Sequence, residues 1–105
     1  MTTPFADRLI EGVRAKNTPL CVGLDPFPDK IPALFGNAAE DTSTILKFGT
    51  AIIEIARTHA CVLKPPLGLF EQFGEMGYAV ARMLCSYAQQ EGMLVLLDAK
   101  RGDIG

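Results

Sequence analysis

The most informative stretch of the sequence is MLVLLDAKRGDIG at residues 93–105, in which an apolar run is followed directly by a cluster of charged residues. A short apolar run without alternation is typical of a strand buried on both faces of a parallel sheet. Asp98 and Lys100 are two residues apart, so on an extended backbone their side chains point to the same face. Asp103 follows Gly102, where the chain can turn. Since lysine is rarely buried without a partner, the two aspartates are predicted to hold Lys100 charged.

Two earlier apolar runs also end in charge. The three strands are predicted near residues 20–24, 61–64 and 93–98, and the first two end at Asp25 and Lys64. The carboxyl ends of parallel strands meet at one edge of the sheet, which is where α/β proteins bind ligands. The sequence therefore predicts a charged site at this edge.

Amphipathic helices are predicted between these strands, at about residues 4–16, 42–58 and 69–90. Strands that alternate with longer helices indicate βαβ units and a parallel sheet. The chain has 105 residues, enough for one domain and not for two. The predicted core includes Leu24, Ile52, Val62, Val80, Leu94 and Leu96.

Composition excludes several classes of function. The formal net charge is −2 and basic residues form no run, so a nucleic-acid partner is not expected. The N-terminus does not resemble a signal peptide, and no apolar stretch approaches the roughly 18 residues of a membrane span. We therefore predict a cytoplasmic protein without a membrane partner. Cys21, Cys61 and Cys85 are expected to be buried and reduced, and their spacing suggests no zinc site.

The motif LDAKRGDIG at residues 97–105 resembles the signature of the orotidine 5′-phosphate decarboxylase family. VGLDP at 22–26, LKP at 63–65 and FEQFG at 70–74 are similar to further motifs of that family, in the same order. The resemblance implies an α/β fold in which residues 1–105 form the first three units of a TIM (β/α)8 barrel, incomplete in this chain. A whole barrel usually needs about 250 residues.

The resemblance also implies a reaction. The family decarboxylates orotidine 5′-phosphate to UMP in de novo pyrimidine biosynthesis, without a metal or an organic cofactor. By resemblance, Lys100 protonates C6 of the ring and Asp98 lies near the departing carboxylate. Lys64 belongs to the same charge network and reaches the ribose, which Asp25 also binds. Asp103 is expected to reach the neighbouring site across the interface of a homodimer.

One position departs from the family pattern. After Lys64-Pro65 the family usually carries an asparagine or glutamine, whereas this chain carries Pro66, followed by Leu67 and Gly68. The loss of an amide side chain is expected to affect packing or ribose contacts near Lys64.

Two other functions remain as alternatives. The first is a related magnesium-dependent barrel enzyme acting on sugar phosphates, of the hexulose-phosphate synthase or ketogulonate-phosphate decarboxylase type. Such enzymes tend to have an acidic residue where this chain has Lys64, so the pyrimidine enzyme is favoured. The second is a non-catalytic fragment, because three strands leave two open sheet edges. The 105-residue chain alone is expected to be poorly stable and inactive.

Overall fold

The computed structural model describes residues 3–100, which form helices that alternate with parallel strands. The elements are α1 Phe5–Lys16, β1 Cys21–Gly23, α2 Ser43–Ala56, β2 Val62–Lys64, α3 Leu67–Glu71, α4 Gly74–Gln90 and β3 Leu94–Val95. Two short 3-10 turns, Pro28–Lys30 and Ala33–Phe35, lie in the connection between β1 and α2. No helix within residues 3–100 is long and apolar enough to cross a membrane.

The three strands form a parallel sheet, as the sequence predicts, and their order is β1-β2-β3. Leu63 of β2 pairs with Val22 on one side and with Val95 on the other. The strand predicted at 93–98 is assigned only over its first part, yet the same register continues to a bridge between Pro66 and Asp98. The extended backbone after β3 therefore places Asp98 beside Pro66, in the turn that follows β2.

Only the central strand is buried as predicted. Val62 and Leu63 of β2 are 5% and 0% exposed, whereas Leu20 before β1 and Leu96 after β3 are each 50% exposed. The prediction that all three runs are buried on both faces is therefore wrong for the two outer runs, and Leu96 is not a core residue. The physical reason is that β1 and β3 are the edges of the described sheet, so no further strand covers them.

The core lies between the sheet and the helices α2 and α4. Helix α2 buries Ile45 and Ile53, and helix α4 buries Val80 and Leu84 in the same core. Phe70 of α3 is fully buried in the same cluster. Periodic apolar residues on α2 and α4 thus pack against one face of the sheet.

The single helix predicted over 69–90 is wrong, because the structure divides it at residues 72–73 into α3 and α4. Gly74 has φ of +69°, a left-handed conformation that a continuous α-helix does not contain. The apolar period continues across the break, since both helices bury residues in the same core. The pattern therefore indicated the buried face correctly but not the turn.

α3 and α4 approach each other closely at Gly77. A Cβ atom at this position would lie 1.9 Å from the carbonyl oxygen of Phe70. Only glycine allows the backbone of α3 to lie this close to α4, so Gly77 fixes how α3 is placed beside the sheet.

The first helix is less buried than its apolar pattern predicts. It contains no buried residue, and Phe5 and Ile10 are 37% and 49% exposed. Its described attachments include the Lys16 ammonium, which donates to the carbonyl of Ala60 at 2.8 Å. Within residues 3–100, no element covers the apolar face of α1 fully.

The cysteines are not equally buried. Cys61 is buried and Cys85 is partly buried, but Cys21 is exposed on β1. The prediction of three buried cysteines is therefore wrong for Cys21, because β1 is an edge strand.

Candidate active site

The charged residues that end the three predicted strands lie at the carboxyl edge of the sheet. Asp25 follows β1 by two residues, and Lys64 is the last residue of β2. The N–H of Leu24 donates to the carbonyl of Lys64 at 3.2 Å, which holds these two strand ends side by side. Asp98 and Lys100 follow β3 at the same edge.

Backbone hydrogen bonds fix the position of Asp98. Its N–H donates to the carbonyl of Pro65 at 3.0 Å, and its own carbonyl accepts from the N–H of Leu67 at 2.8 Å. These bonds hold Asp98 against the turn that follows β2. The carboxylate is therefore carried by ordered backbone and not by a free loop.

Asp98 and Lys100 form an ion pair, in which the ammonium donates to carboxylate oxygen Oδ2. The hydrogen bond from Lys100 holds the pKa of Asp98 below its ordinary value, and the positive charges of Lys100 and Lys64 act in the same direction. Partial burial opposes this shift. Asp98 therefore carries its negative charge at neutral pH and retains it as the pH falls to its ordinary pKa.

A small cavity of about 190 Å³ lies beside this ion pair. It is lined by Pro66, Gly68, Leu69, Asp98 and Lys100. Three of these residues present apolar or backbone surface and the other two present opposite charges. An ammonium in such a place can donate a proton or stabilise negative charge that develops on a bound molecule.

A larger cavity of about 580 Å³ lies elsewhere. It is lined by Leu67, Tyr78, Ala79, Ala81, Arg82, Cys85 and Leu97. This surface is largely apolar and contains none of the charged residues that end the strands. The cavity of about 190 Å³ is therefore the better candidate for chemistry, because Asp98 and Lys100 line it.

The structure does not bring every predicted residue into contact. Within residues 3–100, the carboxylate of Asp25 forms no hydrogen bond or ion pair, although it lies at the same edge. Lys64 acts on Asp98 through its charge and forms no ion pair with it. Asp103 lies outside the described residues.

Sequence reasoning did not predict the apolar wall of the site, although it singled out Pro66 as a position that affects contacts near Lys64. Gly68 and Leu69 line the cavity, as does Pro66, the position that departs from the family pattern. A β-strand pattern cannot indicate them, because they belong to the turn and to α3. The motif at residues 70–74 was the available signal that this segment matters.

Parallel strands with charged residues at one edge, beside a cavity, are typical of α/β enzymes. The active sites of such enzymes lie at the carboxyl ends of the strands.

Comparison with known proteins gives the particular family. Residues 18–105 match the model of the "Orotidine 5′-phosphate decarboxylase / HUMPS family". This match covers most of the sequence, so the chain belongs to that family.

Named relatives agree with this assignment. An orotidine 5′-phosphate decarboxylase from Streptomyces coelicolor is 37% identical over 102 residues, which cover 97% of this chain and 36% of the relative. The enzyme of the same name from Salinispora arenicola is 40% identical over 101 residues, covering 96% of this chain and 35% of the relative. The chain thus spans about a third of the length of the curated relatives that it matches.

A solved structure has the same fold over this region. The crystal structure assigned to an orotidine 5′-phosphate decarboxylase from Streptomyces avermitilis superposes with a TM-score of 0.82 and 38% sequence identity. The alignment covers 99% of this chain and 35% of that one.

Proposed function

We propose that the full-length protein carrying this chain is a carboxy-lyase that converts orotidine 5′-phosphate to UMP, in de novo pyrimidine biosynthesis. The observation that carries the proposal is the Asp98–Lys100 ion pair, placed at the end of β3 beside a cavity in a member of this family. Neither the ion pair nor the family membership alone would identify the reacting group.

Lys100 is the proton donor in this proposal. Loss of CO2 leaves an electron pair on C6 of the pyrimidine, and the ammonium of Lys100 stabilises that charge and then transfers a proton to C6. Asp98 is ionised next to it, since the pKa of its carboxyl is lowered by Lys100 and Lys64. Its negative charge repels the substrate carboxylate in the ground state and is relieved as CO2 departs.

Lys64 and Asp25 act on the ribose. Both are exposed at the carboxyl edge, and the Leu24–Lys64 hydrogen bond keeps the two strand ends adjacent. Their side chains can accept from and donate to sugar hydroxyls. In this proposal the sugar lies on the first two strands and the ring on the third.

The remaining parts of the proposal concern the whole protein. We propose a cytoplasmic homodimer, in which Asp103 reaches the ribose and lysine of the partner site. This part rests on the motif at residues 97–105 and on the family.

We also propose that the three βα units are the start of a (β/α)8 barrel. The exposed leucines at the sheet edges and the apolar cavity of about 580 Å³ are surfaces that later units of a barrel would cover. The 105-residue chain alone is not expected to turn over substrate, because in this family the phosphate is bound by loops that come late in the sequence.

The magnesium-dependent sugar-phosphate enzyme is the less favoured alternative. The family description includes more than one activity, but the named relatives given above are orotidine 5′-phosphate decarboxylases. Lys64 at the end of β2 also favours the pyrimidine substrate, because a cation there would compete with a metal ion for its ligands.

The test is turnover by the purified full-length protein with EDTA present. We expect stoichiometric conversion of orotidine 5′-phosphate to UMP and CO2, measured by chromatography of the nucleotides. A hexulose phosphate and a ketogulonate phosphate, each assayed with magnesium, serve as the competing substrates. Turnover of either sugar phosphate only with magnesium, and none of the nucleotide, would reverse the assignment.

A further inference from the structure

The side-chain amide of Gln72 contacts two segments that are far apart in sequence. Its Nε2 donates to the carbonyl of Leu69 at 2.7 Å and, over a longer distance of 3.5 Å, to the carbonyl of Pro26. An amide NH2 group has two donors, so one side chain can serve both carbonyls. Gln72 lies directly after α3 and belongs to the motif at residues 70–74.

The two accepting carbonyls belong to different segments, the turn after β1 and helix α3. Pro26 follows Asp25 in the turn after β1 and is fully buried. Leu69 lines the cavity that also contains Asp98 and Lys100. The Gln72 amide therefore connects the turn of Asp25 with the wall beside the ion pair.

This connection lies beyond the end of the regular sheet. The last ladder bond between the first two strands runs from the N–H of Leu24 to the carbonyl of Lys64. The residues that follow continue as turns and short helices, which vary in position more readily than strands do. A hydrogen bond between these turns restricts their separation where the ladder no longer does.

We infer that Gln72 is a positioning residue that sets the distance between Asp25 and the Asp98–Lys100 pair. The inference rests on the proposed function, in which Asp25 binds the ribose and Lys100 acts on the ring. Without the amide donors, the turn carrying Asp25 is less restrained and the ribose is bound less tightly. Because this contact is present in the ground state and in the transition state alike, its loss raises KM more than it lowers kcat.

The test uses Gln72→Leu and Gln72→Glu in the full-length protein. The first removes both donors, and the second keeps the shape but places oxygen against carbonyl oxygen. The matched controls are Gln89→Leu and Gln89→Glu, because Gln89 is exposed on α4, away from the cavity. We expect KM for orotidine 5′-phosphate to rise about tenfold in both Gln72 variants, with kcat within about threefold, and no change in the controls.

A purely structural role gives a different result. It would lower the fraction of active enzyme, so that kcat falls while KM stays constant, and this outcome or an unchanged KM overturns the inference. Amide hydrogen exchange in peptides covering residues 25–30 and 66–71 tests the restraint by Gln72 without any substrate. Faster exchange in both segments is expected in the Gln72 variants and not in the Gln89 controls. Unchanged exchange would contradict the restraint, whatever reaction the wild-type protein catalyses.

Discussion

Replacing Lys100 with alanine is expected to lower kcat/KM for decarboxylation by about a thousandfold or more, because the variant loses both proton donation and charge stabilisation. The Lys100 side chain is 66% exposed, so its removal should leave the core intact. The same change removes the hydrogen bond that lowers the pKa of Asp98, and that pKa should rise toward its ordinary value. Initial rates of UMP formation by the full-length variant provide the measurement.

One further variant separates the contributions of Lys100, and another serves as a control. Lys100→Arg keeps the positive charge but cannot release a proton at neutral pH, so it should also be inactive. Lys47→Ala removes an exposed lysine on α2 and should retain normal activity. Activity of Lys100→Ala within tenfold of wild type would exclude Lys100 as the proton donor.

Replacing Gly77 with alanine is expected to cause a large loss of stability. The new Cβ would lie 1.9 Å from the carbonyl oxygen of Phe70, and this backbone atom cannot move aside by a side-chain rotation. α3 and α4 must separate, so the free energy of unfolding should fall by about 3 kcal/mol, a typical cost of overpacking. The displacement also moves Leu69, and activity should decline together with stability. Denaturant unfolding of the full-length protein measures the effect.

Gly68→Ala is the matched control for stability. No atom lies within 4 Å of a Cβ at Gly68, which lies in α3. Alanine is favoured over glycine in a helix by about 1 kcal/mol, so this variant should be unchanged or slightly more stable. Equal losses of stability in the two variants would contradict the close packing at Gly77.

The sequence predicted the sheet better than the ends of its elements. The apolar runs predicted three parallel strands, and the structure contains them, with β2 buried at the centre of the sheet. The break at residues 72–73 was missed, since the apolar period is the same on both sides of a turn at Gly74. The exposure of Leu96 and of Cys21 was also missed, because a run of residues does not indicate whether its strand is central or at an edge.

The charged part of the candidate site was predictable and its apolar part was not. Asp98 and Lys100 are two residues apart directly after an apolar run, so their spacing and their position together predicted that they interact. Leu69 lines the cavity from α3, and Gln72 follows that helix directly, so a strand pattern indicates neither of them. The predicted contribution of Asp103 lies outside the described residues and stays a prediction.

We propose that Lys100, at the carboxyl edge of this sheet, lies against C6 of a bound pyrimidine nucleotide. A crystal structure of the full-length protein with UMP is the measurement that decides this. We expect Lys100 Nζ to lie within about 3.5 Å of C6, a reactive distance, with the ribose beside Asp25 and Lys64. A nucleotide bound elsewhere, for example in the apolar cavity beside Cys85, or a ring turned with C6 away from Lys100, would contradict it.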